Sequence, residues 1–385
     1  MGARERFEKA ASKISDYYQA LEGQIFNLIV NALKKGDYKH VNQNDVVMWQ
    51  AQQLQKIGQL NHETAKIIAK KDGLSQQAVE DMIKFHGMAI TKEIDSQLER
   101  LTGKHNGVSN EARMLVSGIA QQTWTDLQNN VNESLVSRNY GQSAVTKAYR
   151  QVLTESTTAT VTGLMTHKDA VESAMYRIVD KGLPTSLTDK AGRNWSIEGY
   201  TRMVVNTTVN RTFNEVRIQR MSDFDMHLAL MSSHPSSRPA CAPIQGHVVN
   251  LVSPSDPGFD PHYDSIFNHG YGEPSGTQGI NCRHILFPYE PDVSENHQPQ
   301  YDPDEAIANG KVVQQQRARE RAIRDAKKRL AVAEQLGDDK MISQTKTLLQ
   351  ARQAKLRDFI KETNAGRDTP LLARDYTREK IVNKV

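Results

Sequence analysis

The sequence predicts a mainly α-helical protein with a small α+β module. We expect an elongated N-terminal helical region at residues 1–185, a short-stranded module with a His/Cys cluster at residues 186–300, and a basic helical hairpin with a tail at residues 301–385. Three observations predict this division. Apolar residues recur at three- and four-residue steps in the first region. Short strand-compatible runs and loops rich in Gly, Pro and Asp follow, and the last region turns helical and basic.

The composition limits the class of protein. The 385 residues leave room for two or three domains. Only 38% are hydrophobic and the mean hydropathy is −0.62, which is low for a compact enzyme and favours elongated helices. No apolar run reaches the roughly 18 residues of a membrane span, and the charged N-terminus precedes no apolar segment. We therefore expect a soluble, intracellular protein with no membrane anchor. Two cysteines without a secretory signal argue against a disulfide framework.

The front region is predicted to be a series of amphipathic helices. The first runs from about Arg4 to Lys35 and ends at Gly36. Its apolar stripe either packs on neighbouring helices or docks on another protein. Asp45, Asn61 and Ser75 are expected to cap the next three helices. Further helices follow at 109–130, 142–164 and 168–181.

The pattern changes near Thr188, where a turn-type Gly between strand-compatible residues predicts a short β-hairpin ending near Ile197. A helix follows through Val216. The polar residues of this helix are expected to form a solvated face: Arg202, Asn206, Arg211, Asn214, Glu215 and Arg217.

The module after Asp223 carries the most informative residues. A buried strand at 226–231 is predicted to deliver His234 to its C-terminal end, and a second strand is predicted at 247–252. In an extended segment, the side chains of residues i and i+2 lie on the same face, so Cys282 and His284 can coordinate one metal ion.

Four residues of this module form a soft N2S2 set that suits tetrahedral zinc: His234, Cys241, Cys282 and His284. With no obvious carboxylate, such a set predicts a closed structural site rather than a catalytic one. Two alternatives stay open. The residues are simply buried and inert, or Cys241 pairs with Cys282 in a disulfide. His247, His262 and His269 are substitute ligands.

The order of motifs in this part of the chain resembles a known family. The motifs are Gly192-Arg193-x-Trp195, Tyr200-x-x-Met203-Val204, His234-x3-Arg238-Pro239-x-Cys241-x3-Gln245-Gly246, a Gly-Tyr-Gly at Tyr271, and Gly279-x-Asn281-Cys282-Arg283-His284. They resemble the minor capsid protein 2 family of tailed bacteriophages, which is related to head morphogenesis proteins of the Mu F type. The resemblance covers about Thr188 to Arg367. One departure is Cys241, where family members often carry His, and this exchange preserves zinc ligation.

The resemblance implies a structural minor capsid or head morphogenesis protein. Such a protein is associated with the portal and other virion proteins, and contacts or leaves with the packaged double-stranded DNA. It implies that residues 186–300 are a head morphogenesis module and that residues 1–185 are the candidate region for docking on portal or capsid. The expected location is the virion, and the host cytoplasm during assembly.

The last region is predicted to be a basic hairpin from Val312 to Thr363, split by Gly337-Asp338-Asp339. The net charge of +4 is concentrated in its first arm. Duplex DNA backbone is one expected target, and an acidic portal surface or solvent are the alternatives. The basic residues are Arg317, Arg319, Arg321, Arg324, Lys327, Lys328 and Arg329.

An enzyme is the second functional hypothesis. A metal-dependent nuclease would use His234 and His284 with a carboxylate from Asp256, Asp260 or Asp264. Thiolates are poor partners for Mg²⁺, and the sequence has no phosphate-cradling Gly loop or nucleophile signature. The sequence therefore favours a non-enzymatic protein. A host DNA-binding regulator would explain the basic arm but not the long helical front region.

Overall fold

The computed structural model describes residues 2–70, 74–135, 143–188, 192 and 194–382, and it is mainly α-helical with few short strands. Ten helices in these ranges have ten or more residues. They are α1 (Ala3–Lys35), α2 (Val46–Gln55), α3 (Ile57–Lys70), α4 (Gln76–Thr102), α5 (Asn110–Leu127), α7 (Ala144–Val161), α8 (His167–Lys181), α9 (Ile197–Asp223), α10 (Pro303–Leu336) and α11 (Asp339–Asn364). Short helices are α6 (Glu133–Leu135) and α12 (Tyr376–Glu379), with a π-helical turn at Gln128–Asn132 and a 3-10 turn at Ile266–His269.

The strands form two small antiparallel sheets. The hairpin predicted near Thr188 pairs β1 (Pro184–Thr188) with β2 (Asn194–Ser196). Most of the turn between them, at residues 189–191 and 193, lies outside the described residues. The second sheet has β3 (Leu228–Met231) between β4 (Val248–Asn250) and β5 (Leu286–Pro288). The expected fold class, mainly α with a small α+β module, is confirmed.

The buried residues form two hydrophobic clusters. The larger contains the apolar stripe of α1, much of α4 to α9, and the end of α10 at Leu336. The smaller lies under the second sheet, and it includes Cys241 and Cys282 together with residues from the ends of α4 and α9. The three regions proposed from the sequence therefore share apolar contacts, and their boundaries stay a prediction.

The first helix lies inside the larger cluster. Phe7, Ile25, Ile29 and Leu33 of α1 have no exposed surface. The helix packs mainly against α9 and α4, and it also contacts α10. Of the two interpretations of its apolar stripe, packing within the chain is the one that the structure shows.

Two helix starts differ from the sequence prediction. α3 begins at Ile57, so Asn61 lies inside the helix, where its Oδ1 accepts hydrogen bonds from the hydroxyls of Ser143 and Thr146. α10 begins at Pro303, nine residues before Val312, because Asp302 caps it through Glu305 N–H and proline fits the first turn.

The polar residues of α9 do not form one solvated face. Asn214 and Arg217 are buried, and they hydrogen-bond the backbone of residues 284–286. Tyr271 donates a hydrogen bond to Glu215. The expectation of a solvated face is therefore wrong for these residues, because a second layer of structure covers them.

The beginning of α10 lies directly on the turn that follows His234. Ser237 N–H donates to the carbonyl of Ala306, and Asn309 donates to that of Pro235. A Cβ at Gly310 would lie 2.6 Å from the Ser237 carbonyl oxygen. Glycine at position 310 is what allows this close approach.

No helix in the described part of the chain has a stretch long and apolar enough to cross a membrane.

We predict opposite effects for two glycine-to-alanine substitutions within helices. Gly310→Ala lowers the free energy of unfolding by about 1–3 kcal/mol, because the methyl group overlaps a backbone oxygen. Gly118→Ala is the matched control: a Cβ at this position would have nothing within 4 Å, so alanine raises the free energy by up to about 1 kcal/mol through helix propensity. Urea unfolding measures both. Equal stabilisation by the two would contradict the docking of α10 on the turn.

Candidate metal centre

The second sheet brings three distant segments to one end. Ser232, at the end of β3, donates its N–H to the carbonyl of Ile285, which fixes His234 beside the segment that leads into β5. The turn that carries Cys241 is closed by hydrogen bonds from Cys241 N–H to Arg238 O and from Gln245 N–H to Cys241 O. Cys282 and His284 follow on the third segment.

The long segment between Cys241 and Cys282 is held closed by hydrogen bonds to its backbone carbonyls. The Arg238 guanidinium donates to the carbonyls of Pro274, Gly276 and Ile280. A Cβ at Gly279 would lie 2.4 Å from the Glu273 carbonyl oxygen, so a side chain at this position does not fit. These contacts return the chain to the turn that carries Cys241.

Three of the four predicted ligands converge. The ligand atoms of Cys241, Cys282 and His284 all lie within 4.8 Å of one another, and all three residues are buried. The Cys282 Sγ and His284 Nδ1 atoms are 3.5 Å apart. Zn–S bonds of about 2.3 Å at a tetrahedral ion separate two sulfurs by about 3.8 Å, so the group has the size of a tetrahedral zinc site.

His234 lies beside this group rather than in it. Its ring centroid is 4.7 Å from that of His284, and its Nε2 atom is buried with no hydrogen-bond partner. Burial lowers the pKa of His234 to about 4, so the ring is neutral near pH 7. A buried imidazole nitrogen without a partner is a fitting fourth ligand atom, and the place of His234 in the set stays a prediction.

The two cysteines are free thiols in the structure. The hydrogen bond between them lowers the pKa of Cys282 and raises that of Cys241. Cys241 also contacts the hydroxyl of Thr277, with 3.6 Å between Sγ and Oγ1. Thiol and imidazole groups together are a donor set for a soft or borderline cation.

The carboxylates proposed for a nuclease, and two of the three substitute histidine ligands, bind partners within the loop and not the cysteines. Asp260 pairs with His262 and Asp264 with His269, each at 2.7 Å, while His247 is exposed. Asp256 accepts a hydrogen bond from Gly258 N–H. Within the described ranges, the Cys241–Cys282–His284 group is the one His/Cys/Asp/Glu cluster that can hold a metal ion.

Three residues that position the site were not assigned to it from the sequence. Asn214 and Arg217 hold the backbone at His284 and Leu286, and the Gln245 side chain contacts His284. For Asn214 and Arg217, the available signal was their spacing of three residues among the polar residues of α9. That pattern also describes a solvated face, so it does not decide between the two.

Comparison with known proteins shows the family. A family model described as phage minor capsid protein 2 matches residues 3–361. A structural protein of Lactococcus phage LL-H is 39% identical over 368 residues, which cover 95% of this chain and 98% of that protein. The chain belongs to the phage minor capsid protein 2 family. A structural protein of Lactococcus phage mv4 is 41% identical over 128 residues, 33% of this chain and 99% of that protein. No solved structure matches.

The family assignment confirms the resemblance stated from the motifs between Thr188 and Arg367. The match also includes the helical front half, where the sequence offered no family motif. The protein is therefore a structural component of a phage particle, a minor capsid protein.

The basic helix of this minor capsid protein faces its own chain. Lys328 Nζ lies 2.6 Å from a Glu22 carboxylate oxygen on α1 and 2.5 Å from one of Glu198 on α9. Arg324 also pairs with Glu198, at 2.6 Å. Although burial opposes the shift, Lys328 and Arg324 lower the pKa of Glu198 to about 2.

Most of the other basic side chains also have partners within the chain. Arg317 pairs with Glu320, Arg329 with Asp180, Lys327 donates to the Glu379 carbonyl, and Arg319 lies over the ring of Phe359. Arg321 is exposed. Ion pairs thus join α10 to α1, α8 and α9, and we call this its bracing role. Contact between this arm and duplex DNA stays a prediction.

Removing the buried charge of α10 is expected to destabilise the fold. Lys328→Met leaves the buried Glu22 carboxylate without a cationic partner, while Glu198 keeps Arg324 and Arg202. An uncompensated buried charge of this kind costs about 3–5 kcal/mol of unfolding free energy. Arg321→Met removes an exposed charge from the same helix and leaves that free energy unchanged within about 0.5 kcal/mol. Urea unfolding measures both, and a neutral Lys328→Met would refute the bracing role.

Proposed function

We propose that this minor capsid protein is a structural, portal-associated component of the virion whose 186–300 module is pinned by one zinc ion. The observation that carries the zinc proposal is the convergence of Cys241, Cys282 and His284 in a buried group of tetrahedral size. His234, with its unpartnered nitrogen, is the proposed fourth ligand.

Zinc would join two ends of a segment that contains little regular structure. Between Cys241 and Cys282 lie only the three residues of β4 and the four-residue 3-10 turn at Ile266–His269. Structural zinc contributes about 10–16 kcal/mol of binding free energy in zinc-finger peptides. That is as large as the whole stability of an ordinary domain, about 5–15 kcal/mol. Binding of zinc would therefore dominate the stability of this module.

The donor set supports a structural role rather than nuclease chemistry. Two thiolates and two imidazoles fill a tetrahedral ion, and leave no position for an activated water. Thiolates are poor ligands for the Mg²⁺ that phosphodiester cleavage commonly uses. The two relatives described above are named structural proteins.

Association with the portal is supported by the family and by the contacts that join the 186–300 module to the helical body. The resemblance to this family implies a head protein bound at or near the portal. α10 ties the metal-binding module to the helical body through Ser237, Glu22 and Glu198. A portal contact made anywhere on this body would therefore hold the module in a fixed orientation.

We predict about one zinc ion per chain in protein purified under reducing conditions. Cys282→Ser is expected to lose the ion and to lower the melting temperature, because two thiolates are needed for tight binding. His262→Ala is the control, since His262 is exposed and pairs with Asp260. Elemental analysis and thermal unfolding measure these effects.

Cobalt provides an independent readout of the same site. Co²⁺-substituted protein is expected to show thiolate-to-cobalt charge transfer and the strong visible bands of tetrahedral coordination. Metal-free wild-type protein that melts at the same temperature as metal-loaded protein would refute the zinc proposal.

Co-sedimentation with purified portal rings tests the second part of the proposal. Wild-type chain is expected to move with the rings, and Gly118→Ala, which alters an open helical position, is expected to do the same. Counting this chain against portal subunits in intact particles by mass spectrometry gives the stoichiometry. A chain that stays at the top of the gradient beside assembled portal would contradict portal association.

A further inference from the structure

We propose that Gln245 is a positioning residue that holds His284 in the tautomer protonated at Nε2 and so reserves Nδ1 for the metal ion. This inference rests on the metal site proposed above and adds which histidine nitrogen binds and what selects it.

Gln245 is placed for this role by the turn that also carries Cys241. It is 2% exposed, and its N–H donates to the Cys241 carbonyl, so the ligand and the positioning residue belong to one turn. Gly246 follows with a φ of 77°, a conformation that favours glycine, and its N–H donates to Met231 O on β3. The turn is thereby anchored to the sheet.

A backbone contact settles which end of the Gln245 amide faces the site. The His234 N–H donates to Gln245 Oε1 at 3.1 Å. A backbone N–H is only a donor, so the atom that it meets has to be the oxygen and not the NH2 group. An exchange of the two amide atoms would put two donors face to face.

The same oxygen decides the tautomer of His284. Gln245 Oε1 lies 3.0 Å from His284 Nε2. Because a carboxamide oxygen only accepts, Nε2 has to carry a proton, and of the two neutral tautomers the one with this proton has its lone pair on Nδ1. Nδ1 is the nitrogen that lies 3.5 Å from Cys282 Sγ. The lone pair therefore points toward the thiols.

The backbone of His284 is fixed from the other side. Asn214 donates to the His284 carbonyl at 2.8 Å and accepts from Leu286 N–H at 3.1 Å. With the main chain held by α9 and the ring held by Gln245, the imidazole has one orientation. Metal-bound histidines commonly have such an acceptor on the second nitrogen.

The Nε2 atom of Gln245 is itself buried without a hydrogen-bond partner. The amide thus leaves its donor end unsatisfied while its oxygen serves both histidines. This asymmetry predicts that a glutamate, which keeps the acceptor and has no NH2 group, can replace the glutamine at the metal-loaded site.

Zinc affinity in a set of matched variants tests the inference. Gln245→Leu keeps the size of the side chain and removes the acceptor, and we expect zinc binding about 10- to 100-fold weaker in competition with a chromophoric chelator. Gln245→Glu is expected to restore binding to within a few fold of wild type. Gln298→Leu is the control, because Gln298 accepts from Ser233 N–H at 3.0 Å, one residue away, without touching a proposed ligand.

Cadmium NMR identifies the ligating atom directly. In wild-type protein loaded with an NMR-active cadmium isotope, we expect scalar coupling from the metal to Nδ1 of His284. In Gln245→Leu, this coupling is expected to weaken or to move to Nε2. A merely structural role of Gln245 would lower stability without changing the coupled nitrogen.

The outcomes separate this inference from the zinc proposal. If wild-type protein binds no zinc, the proposed metal site is wrong and the inference falls with it. If wild-type protein binds zinc and Gln245→Leu binds it equally well, or if wild-type couples through Nε2, the role of Gln245 is refuted while the zinc site stands.

Discussion

The position of the segment that carries Cys282 and His284 depends on the contact between α9 and the backbone of residues 284–286. Arg217 is almost fully buried, donates to the Leu286 carbonyl and to Gln97, and lies between the rings of Phe213 and Phe287. Burial lowers the pKa of Arg217 to about 10, so its charge persists near pH 7. A buried cation is costly unless its donors are satisfied, and this requirement holds the segment in one place. Cys282 and His284 are in turn placed relative to β3 and to the turn with Cys241.

Ion pairs of the basic helix α10 likewise fix the position of one element against others. Lys328 reaches across to α1 and α9, which are far from it in sequence, and its two carboxylate partners are also buried. Replacing such a network by apolar residues is often neutral for stability, whereas removing one member is not. The network therefore acts mainly on geometry: it aligns α10 with the core helix α1, and the start of α10 then lies against the turn after His234.

The buried contacts of Arg217 and of Lys328 are those expected of a structural protein. The contacts around the cysteines fix backbone and side chains, and the carboxylates of the loop pair with loop histidines instead of entering the group. Membership in the minor capsid protein 2 family agrees with this interpretation. Cys241, Cys282 and His284 are buried, and hydrogen bonds hold the backbone around them. This arrangement is suited to a protein that holds position within a particle.

Local signals in the sequence predicted most of the helices, because the apolar period of α1 and the cap at Ser75 need no distant residue to complete them. The cap predicted at Asn61 was wrong, since this residue lies inside α3. The sequence also predicted a four-residue set, because the chain has only two cysteines. The structure brings three of its members together, Cys241, Cys282 and His284, and places His234 beside them. What the polar side chains meet depends instead on the tertiary structure. Periodicity shows which face of a helix is apolar, but it does not show what a polar side chain contacts. Glu22, a partner of Lys328, lies 306 residues away in the sequence. Nothing local distinguishes a solvated Asn214, Arg217 or Gln245 from one that orders a buried site.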